Sequence, residues 1–205
     1  MIVLKVVQVA GFLGSGKTTT ILKITKRLSL NGMKVAIIVN SLGGVPVDGM
    51  VYRESGLKVE EIGGGCICCE LAVNLANTLR LLKETYDPDV VMIEPEGLAI
   101  PNQVRSGITS TKVKVEPSPI LVLFDITSAE EWLDERRLGH LIIEQLKDAE
   151  IIAINKIDLV NESTVAKYEA ILKSLNSSAM IVRISALKEV GLNELIPSLR
   201  VVSGT

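Results

Sequence analysis

Aromatic side chains make up only 3 % of the 205 residues, so the core has to be built from Val, Ile, Leu and Ala. That bias suits parallel strands covered on both faces. There is no basic run and no interleaving of cations with aromatics, which argues against nucleic acid as a partner. Charge is nearly balanced, with 22 basic and 24 acidic residues and a net charge of −2. The longest apolar stretches have the length of strands, which argues against a transmembrane helix and a membrane partner. The N-terminus lacks a signal-peptide pattern and enters a core strand directly, so a cytoplasmic location is expected. Cysteine is confined to Cys66, Cys68 and Cys69, whereas a disulfide framework would spread its cysteines along the chain. Internal repeats and low-complexity segments are missing as well.

What is present starts with a phosphate loop. An apolar run ending at Ala10 leads into Gly11-Phe12-Leu13-Gly14-Ser15-Gly16-Lys17-Thr18, a complete G-x-x-x-x-G-K-T, and Thr19 continues into a helical pattern. Backbone N–H groups in such a loop wrap nucleotide phosphates, because glycine tolerates unusual dihedrals and close approach. Lys17 is placed to reach the β- and γ-phosphates and the Thr18 hydroxyl to ligate Mg²⁺. The helix that follows points its positive end at the same anion.

Short apolar runs alternate with helical patterns almost to the end of the chain. The spacing predicts strands over 2–9, 34–39, 57–62, 89–93, 119–124, 150–154 and 179–183. Helices are expected over 17–31, 70–85, 128–147 with a break near Gly139, 161–175 and 191–200. The stretch 100–118 mixes glycine, proline, Ser and Thr with weak periodicity and reads as a mobile insertion. Such alternation means right-handed crossovers and an open, mostly parallel sheet, an α/β fold of three layers (α/β/α). Ligands on these sheets bind beyond the carboxyl ends of the strands, and the motifs fall there. The length suits one such domain over residues 1–205.

Two of those strand ends bear on the nucleotide. Ile151–Ile154 is followed by Asn155-Lys156-Ile157-Asp158, an N-K-x-D element. A carboxylate at Asp158 can accept hydrogen bonds from guanine N1–H and its 2-amino group; adenine offers neither and leaves the charge unpaired. Asn155 would brace the loop, the Lys156 stem would lie against the base, and a backbone N–H of Ser185-Ala186 would meet guanine O6. GTP is therefore favoured over ATP. Val90–Ile93 ends in Glu94-Pro95-Glu96-Gly97. Glu94 is placed to orient the metal at the γ-phosphate, and Gly97 to donate its N–H to that phosphate. Asp48 is a second candidate for the metal or the attacking water, and for both Glu94 and Asp48 a solvated loop acid is the alternative. Catalytic roles thus fall on Lys17, Glu94 and Asp48.

Gly63-Gly64-Gly65-Cys66-Ile67-Cys68-Cys69-Glu70 places a C-x-C-C element at the start of a helical pattern. The helix dipole there favours thiolate. Thiolates suit Zn²⁺ or another thiophilic transition metal rather than Mg²⁺ or Ca²⁺. Three thiolates leave a tetrahedral ion one ligand short; water, Glu70 or His140 could complete it, although His140 reads as a helix-face residue. An incomplete shell fits transfer better than a closed structural site. Inert buried cysteines and a vicinal disulfide between Cys68 and Cys69 remain as alternatives.

Taken together, G-F-L-G-S-G-K-T-T, G-G-G-C-I-C-C, E-P-E-G-L-A, N-K-I-D and S-A resemble the CobW-like metallochaperone GTPases, relatives of the UreG and HypB accessory GTPases. The resemblance runs from about residue 4 to about 200. It implies a P-loop NTPase fold and a switch that hydrolyses GTP with Mg²⁺. It also implies that Cys66, Cys68 and Cys69 hold Zn²⁺ or a similar metal for delivery to a client metalloenzyme or its assembly factor. Slow hydrolysis coupled to metal or to dimerisation is implied too, so a homodimer is among the expected assemblies. Where the family shows N-E-F-G-E, this chain has Asn40-Ser41-Leu42-Gly43-Gly44; where members read A-D-P, it has Ala99-Ile100-Pro101. The chain is expected to lack the carboxyl-terminal domain that many members carry. Residues 40–49 and 94–98 are the expected switch segments, and no arginine sits as an internal finger. A GTP-gated docking module with a structural or redox cysteine cluster is the second reading, and a small-molecule kinase the third.

Overall fold

The computed structural model describes residues 3–41, 52–53, 56–63, 70–134 and 139–201. The thiol segment with Cys66, Cys68 and Cys69, and Asp48 with most of the first expected switch segment, lie outside the described residues.

The strands are β1 (Leu4–Ala10), β2 (Val35–Ser41), β3 (Lys58–Gly63), β4 (Val90–Glu94), β5 (Val115–Pro117), β6 (Leu121–Asp125), β7 (Ile151–Asn155) and β8 (Met180–Arg183). The helices are α1 (Lys17–Leu30), α2 (Glu70–Thr85), α3 (Pro101–Thr109), α4 (Ala129–Trp132), α5 (Gly139–Asp148), α6 (Glu162–Leu175) and α7 (Leu192–Ser198). The sheet runs β3-β2-β4-β1-β6-β7-β8, with β5 beside β1 off this path, and every pairing of these strands is parallel. The chain winds outward through β2 and β3, returns to β4, and then crosses to the far side of β1. β1 therefore marks the point where the winding reverses, which is where open α/β sheets bind ligands.

Side chains alternate between two helical layers. Val7 and Val9 pack with Ile21, Ile24 and Leu28 of α1 and Leu192 and Leu195 of α7. Leu4 and Val6 face Leu75, Leu79 and Leu82 of α2 and Val104 and Ile108 of α3. On the other half of that second face, Ile152 and Ile154 meet Ile142 and Leu146 of α5 and Val165 and Leu172 of α6. The three-layer expectation holds, and each expected strand lies within two residues of its predicted span.

The stretch 100–118 is not an insertion. It forms α3 and β5, with Pro101 in the first turn of the helix, where its missing N–H costs nothing. Val104 and Ile108 bury the helix face against α2, and Val115–Pro117 pair with Leu4–Val6. The span 128–147 divides into α4 and α5. A Cβ on Gly139 would lie 2.4 Å from the Asp134 carbonyl oxygen, so the chain passes there only because the residue is glycine. Among the described residues no helix is long and apolar enough to cross a membrane.

Candidate nucleotide site

The carboxyl ends of β1, β4, β6 and β7 deliver the sequence motifs to one rim. From β1 the chain turns into the 11–18 loop. Gly16 adopts φ +97°, a conformation that L side chains rarely take, and a Cβ there would sit 2.4 Å from Asn155 Nδ2. α1 then begins at Lys17 with no acidic residue in its first turn, so its positive end is not neutralised from within. The Lys17 ammonium, largely buried, donates to the carbonyls of Gly11 at 3.0 Å and Phe12 at 3.3 Å. It thus lies along the loop it is expected to serve. Gly14 is exposed with φ +79°, Thr19 is half-buried, and Ser15 is fully buried.

Thr18 and Glu94 meet across the sheet. The Thr18 hydroxyl donates to Glu94 Oε1 at 2.8 Å, and the other carboxylate oxygen accepts from Tyr52 Oη. Glu94 is 4 % exposed and Tyr52 fully buried. A hydroxyl and a buried carboxylate side by side are hard oxygen donors of the kind Mg²⁺ takes. Gly97 presses on the phosphate loop: a Cβ would stand 2.9 Å from the Leu13 backbone nitrogen. Beside it, burial holds the Glu96 carboxyl above its ordinary pKa, opposed by the Lys17 ammonium.

At the other end of the rim, Asn155 joins three motifs. Its Nδ2 donates to the Ser15 carbonyl at 2.8 Å, and its Oδ1 accepts from the Ala186 N–H at 3.0 Å. The phosphate loop, the N-K-x-D turn and the Ser185-Ala186 turn are therefore tied through one side chain, 2 % exposed. The Ser185 N–H bonds to the Val190 carbonyl at 3.2 Å, so both N–H groups expected to meet O6 already have protein partners. Asp158 is exposed, and its carboxylate has no hydrogen-bond partner among the described residues. Lys156 takes φ +66°, and its ammonium forms an ion pair with Asp125 at 2.5 Å.

Asp125 and Tyr52 were not picked out from the sequence. Asp125 ends a buried apolar strand just as Glu94 does, and that shared signature could have found it. It is 3 % exposed and also accepts from the Thr127 N–H at 2.9 Å and Oγ1 at 2.7 Å. Tyr52 carried no periodic signal. The expected metal ligands Cys66, Cys68 and Cys69 lie outside the described residues, and His140 is exposed on α5. Among the described residues no group of three or more His, Cys, Asp or Glu could hold a metal.

The profile of the CobW/HypB/UreG nucleotide-binding domain matches residues 5–183. The "Zinc chaperone YeiR" of Escherichia coli (strain K12) is 35 % identical over 153 residues, covering 73 % of this chain and 45 % of that protein. The "Zinc-regulated GTPase metalloprotein activator 1" of Dictyostelium discoideum is 27 % identical, covering 88 % of this chain and 45 % of that protein. The chain thus spans about half the length of these curated relatives. Among solved structures, the hydrogenase maturation factor HypB from Archaeoglobus fulgidus superposes with a TM-score of 0.68 at 24 % identity, covering 97 % of this chain and 89 % of that one. That likeness shows the fold.

Proposed function

We propose that this chain, which belongs to the CobW/HypB/UreG nucleotide-binding family, is a GTP-hydrolysing switch that handles zinc as cargo for a client metalloenzyme or its assembly factor. The observation that carries the nucleotide half is Asn155, which links phosphate loop to base turn at 2.8 Å and 3.0 Å, so one ligand can engage both ends. The exposed Asp158 carboxylate supplies the guanine preference, since only guanine offers it two donors.

In this reading the N–H groups of the 11–18 loop and the α1 N-terminus bind the phosphates, and Lys17 exchanges its loop carbonyls for phosphate oxygens. Mg²⁺ would be held by the Thr18 hydroxyl with Glu94 behind it, and would supply charge neutralisation at the β- and γ-phosphates. Gly97 offers its N–H to the γ-phosphate. The zinc half rests on the names of the relatives and on the chemistry of Cys66, Cys68 and Cys69, which suits a thiophilic cation. Those thiols fall between β3, next to β2 at the sheet edge, and α2, in the interval between the two expected switch segments.

The test is linkage. Zinc affinity is measured with a non-hydrolysable GTP analogue, with GDP and with no nucleotide. The switch predicts different affinities with the analogue and with GDP, and reciprocity demands an equal change in nucleotide affinity on adding zinc. Equal zinc affinity in all three states refutes it. Serine at Cys66, Cys68 and Cys69 should abolish zinc binding while GTP hydrolysis persists; loss of folding would favour a structural cluster.

A further inference from the structure

Two buried amides grip the backbone that follows Glu94. Gln145 on α5 donates through Nε2 to the Gly97 carbonyl at 3.0 Å and the Ala99 carbonyl at 2.9 Å. Gln8 in β1 donates to the Pro101 carbonyl at 3.2 Å. Both are 1 % exposed, and the side-chain oxygen of each is buried with no hydrogen-bond partner among the described residues. An interior amide that spends its donors and leaves its acceptor unpaired is costly. An apolar residue would serve packing better at both positions, so the donors are what these places require. A third grip comes from Asp148 near the end of α5. It accepts from the Asn102 N–H at 3.1 Å and Nδ2 at 2.5 Å, at the start of α3, where Ile100 supplies no side-chain cap.

α5 therefore holds the backbone from Gly97 to Asn102, and Gly97 in turn rests against Leu13 of the phosphate loop. The Gly97 carbonyl belongs to the Gly97–Leu98 peptide, so the Gln145 hydrogen bond anchors Gly97 from its carboxyl side while its close approach to Leu13 confines it on the other. We propose that Gln145 is a positioning residue: its two hydrogen bonds hold the Gly97 peptide against the phosphate loop, so that a γ-phosphate is detected at Gly97 and reported to α5. The inference rests on the nucleotide reading above. It makes Gln145 matter for a triphosphate and not for a diphosphate, because only the triphosphate reaches Gly97.

The experiment compares wild type with Gln145→Met, which keeps length and apolar packing but has no donor. Each is titrated with GDP and with a non-hydrolysable GTP analogue, both with Mg²⁺. GDP affinity should stay within about twofold, while analogue affinity falls about tenfold, the worth of a single net hydrogen bond. Equal losses for both nucleotides, or no loss for either, overturn the proposal. Hydrogen exchange on wild type needs no variant to fold: α5 should exchange more slowly with the analogue than with GDP, and identical exchange overturns the proposal. Tight binding of both nucleotides alongside either negative result leaves the nucleotide reading standing, whereas wild type that binds neither overturns both.

Discussion

Replacing Asn155 with alanine removes a side chain that joins the phosphate loop to the Ser185-Ala186 turn. The change strips a donor from the Ser15 carbonyl and an acceptor from the Ala186 N–H, at 2.8 Å and 3.0 Å, both hydrogen bonds being buried. Each buried group left unpaired costs about 1–3 kcal/mol, so about 2–6 kcal/mol of folding stability should disappear. For a domain of this size 1 kcal/mol moves the melting temperature by about 2–4 °C, so the loss should be about 4–24 °C by calorimetry. GDP affinity should fall further than stability alone dictates, because the phosphate loop and the base turn then move independently. Asn155→Asp divides the effect: it keeps an acceptor for Ala186 but sets a carboxylate against the Ser15 carbonyl, so it should be no more stable than the alanine variant. An alanine variant that melts within 2 °C of wild type and binds GDP equally well would refute the reasoning.

Tyr52→Phe removes one donor from the buried Glu94 carboxylate and should lower stability by about 1–3 kcal/mol in urea unfolding; no change would mean the hydroxyl is immaterial. Glu96 should cost stability when ionised, because burial raises its folded-state pKa above the unfolded value. Stability then falls as pH rises through the carboxylate range, and Glu96→Gln should flatten that slope and melt higher near pH 7. Trp132, the only tryptophan, meets Phe12 of the phosphate loop edge-on at 5.4 Å, so GDP should change its fluorescence and Phe12→Leu should abolish the change.

The central strands β1, β2, β4, β6 and β7 were legible because they are short runs rich in Val, Ile and Leu between turn signals, and the carboxyl ends of β1, β4 and β7 carried the chemistry in plain view. The Gly139 break was legible too, since a glycine inside a helical period has few other uses. α3 was hidden because its two core contacts, Val104 and Ile108, are embedded among Asn, Ser, Gly and Thr. β5 was hidden because three residues have no period of their own; only β1 makes them a strand. Within the site, residues that act by their own chemistry, such as Lys17 and Asp158, could be named from spacing. Residues that act through a neighbour could not: Asp125 matters by holding Lys156 and Tyr52 by touching Glu94, and both relations exist only after folding.

Calorimetric titration of the purified chain with GTP, GDP and ATP in the presence of Mg²⁺ tests the central claim most directly. The account predicts one site that binds both guanine nucleotides and takes ATP at least a hundredfold more weakly, the discrimination lost in Asp158→Ala. Equal heats for ATP and GTP, or none with any of the three, would contradict it.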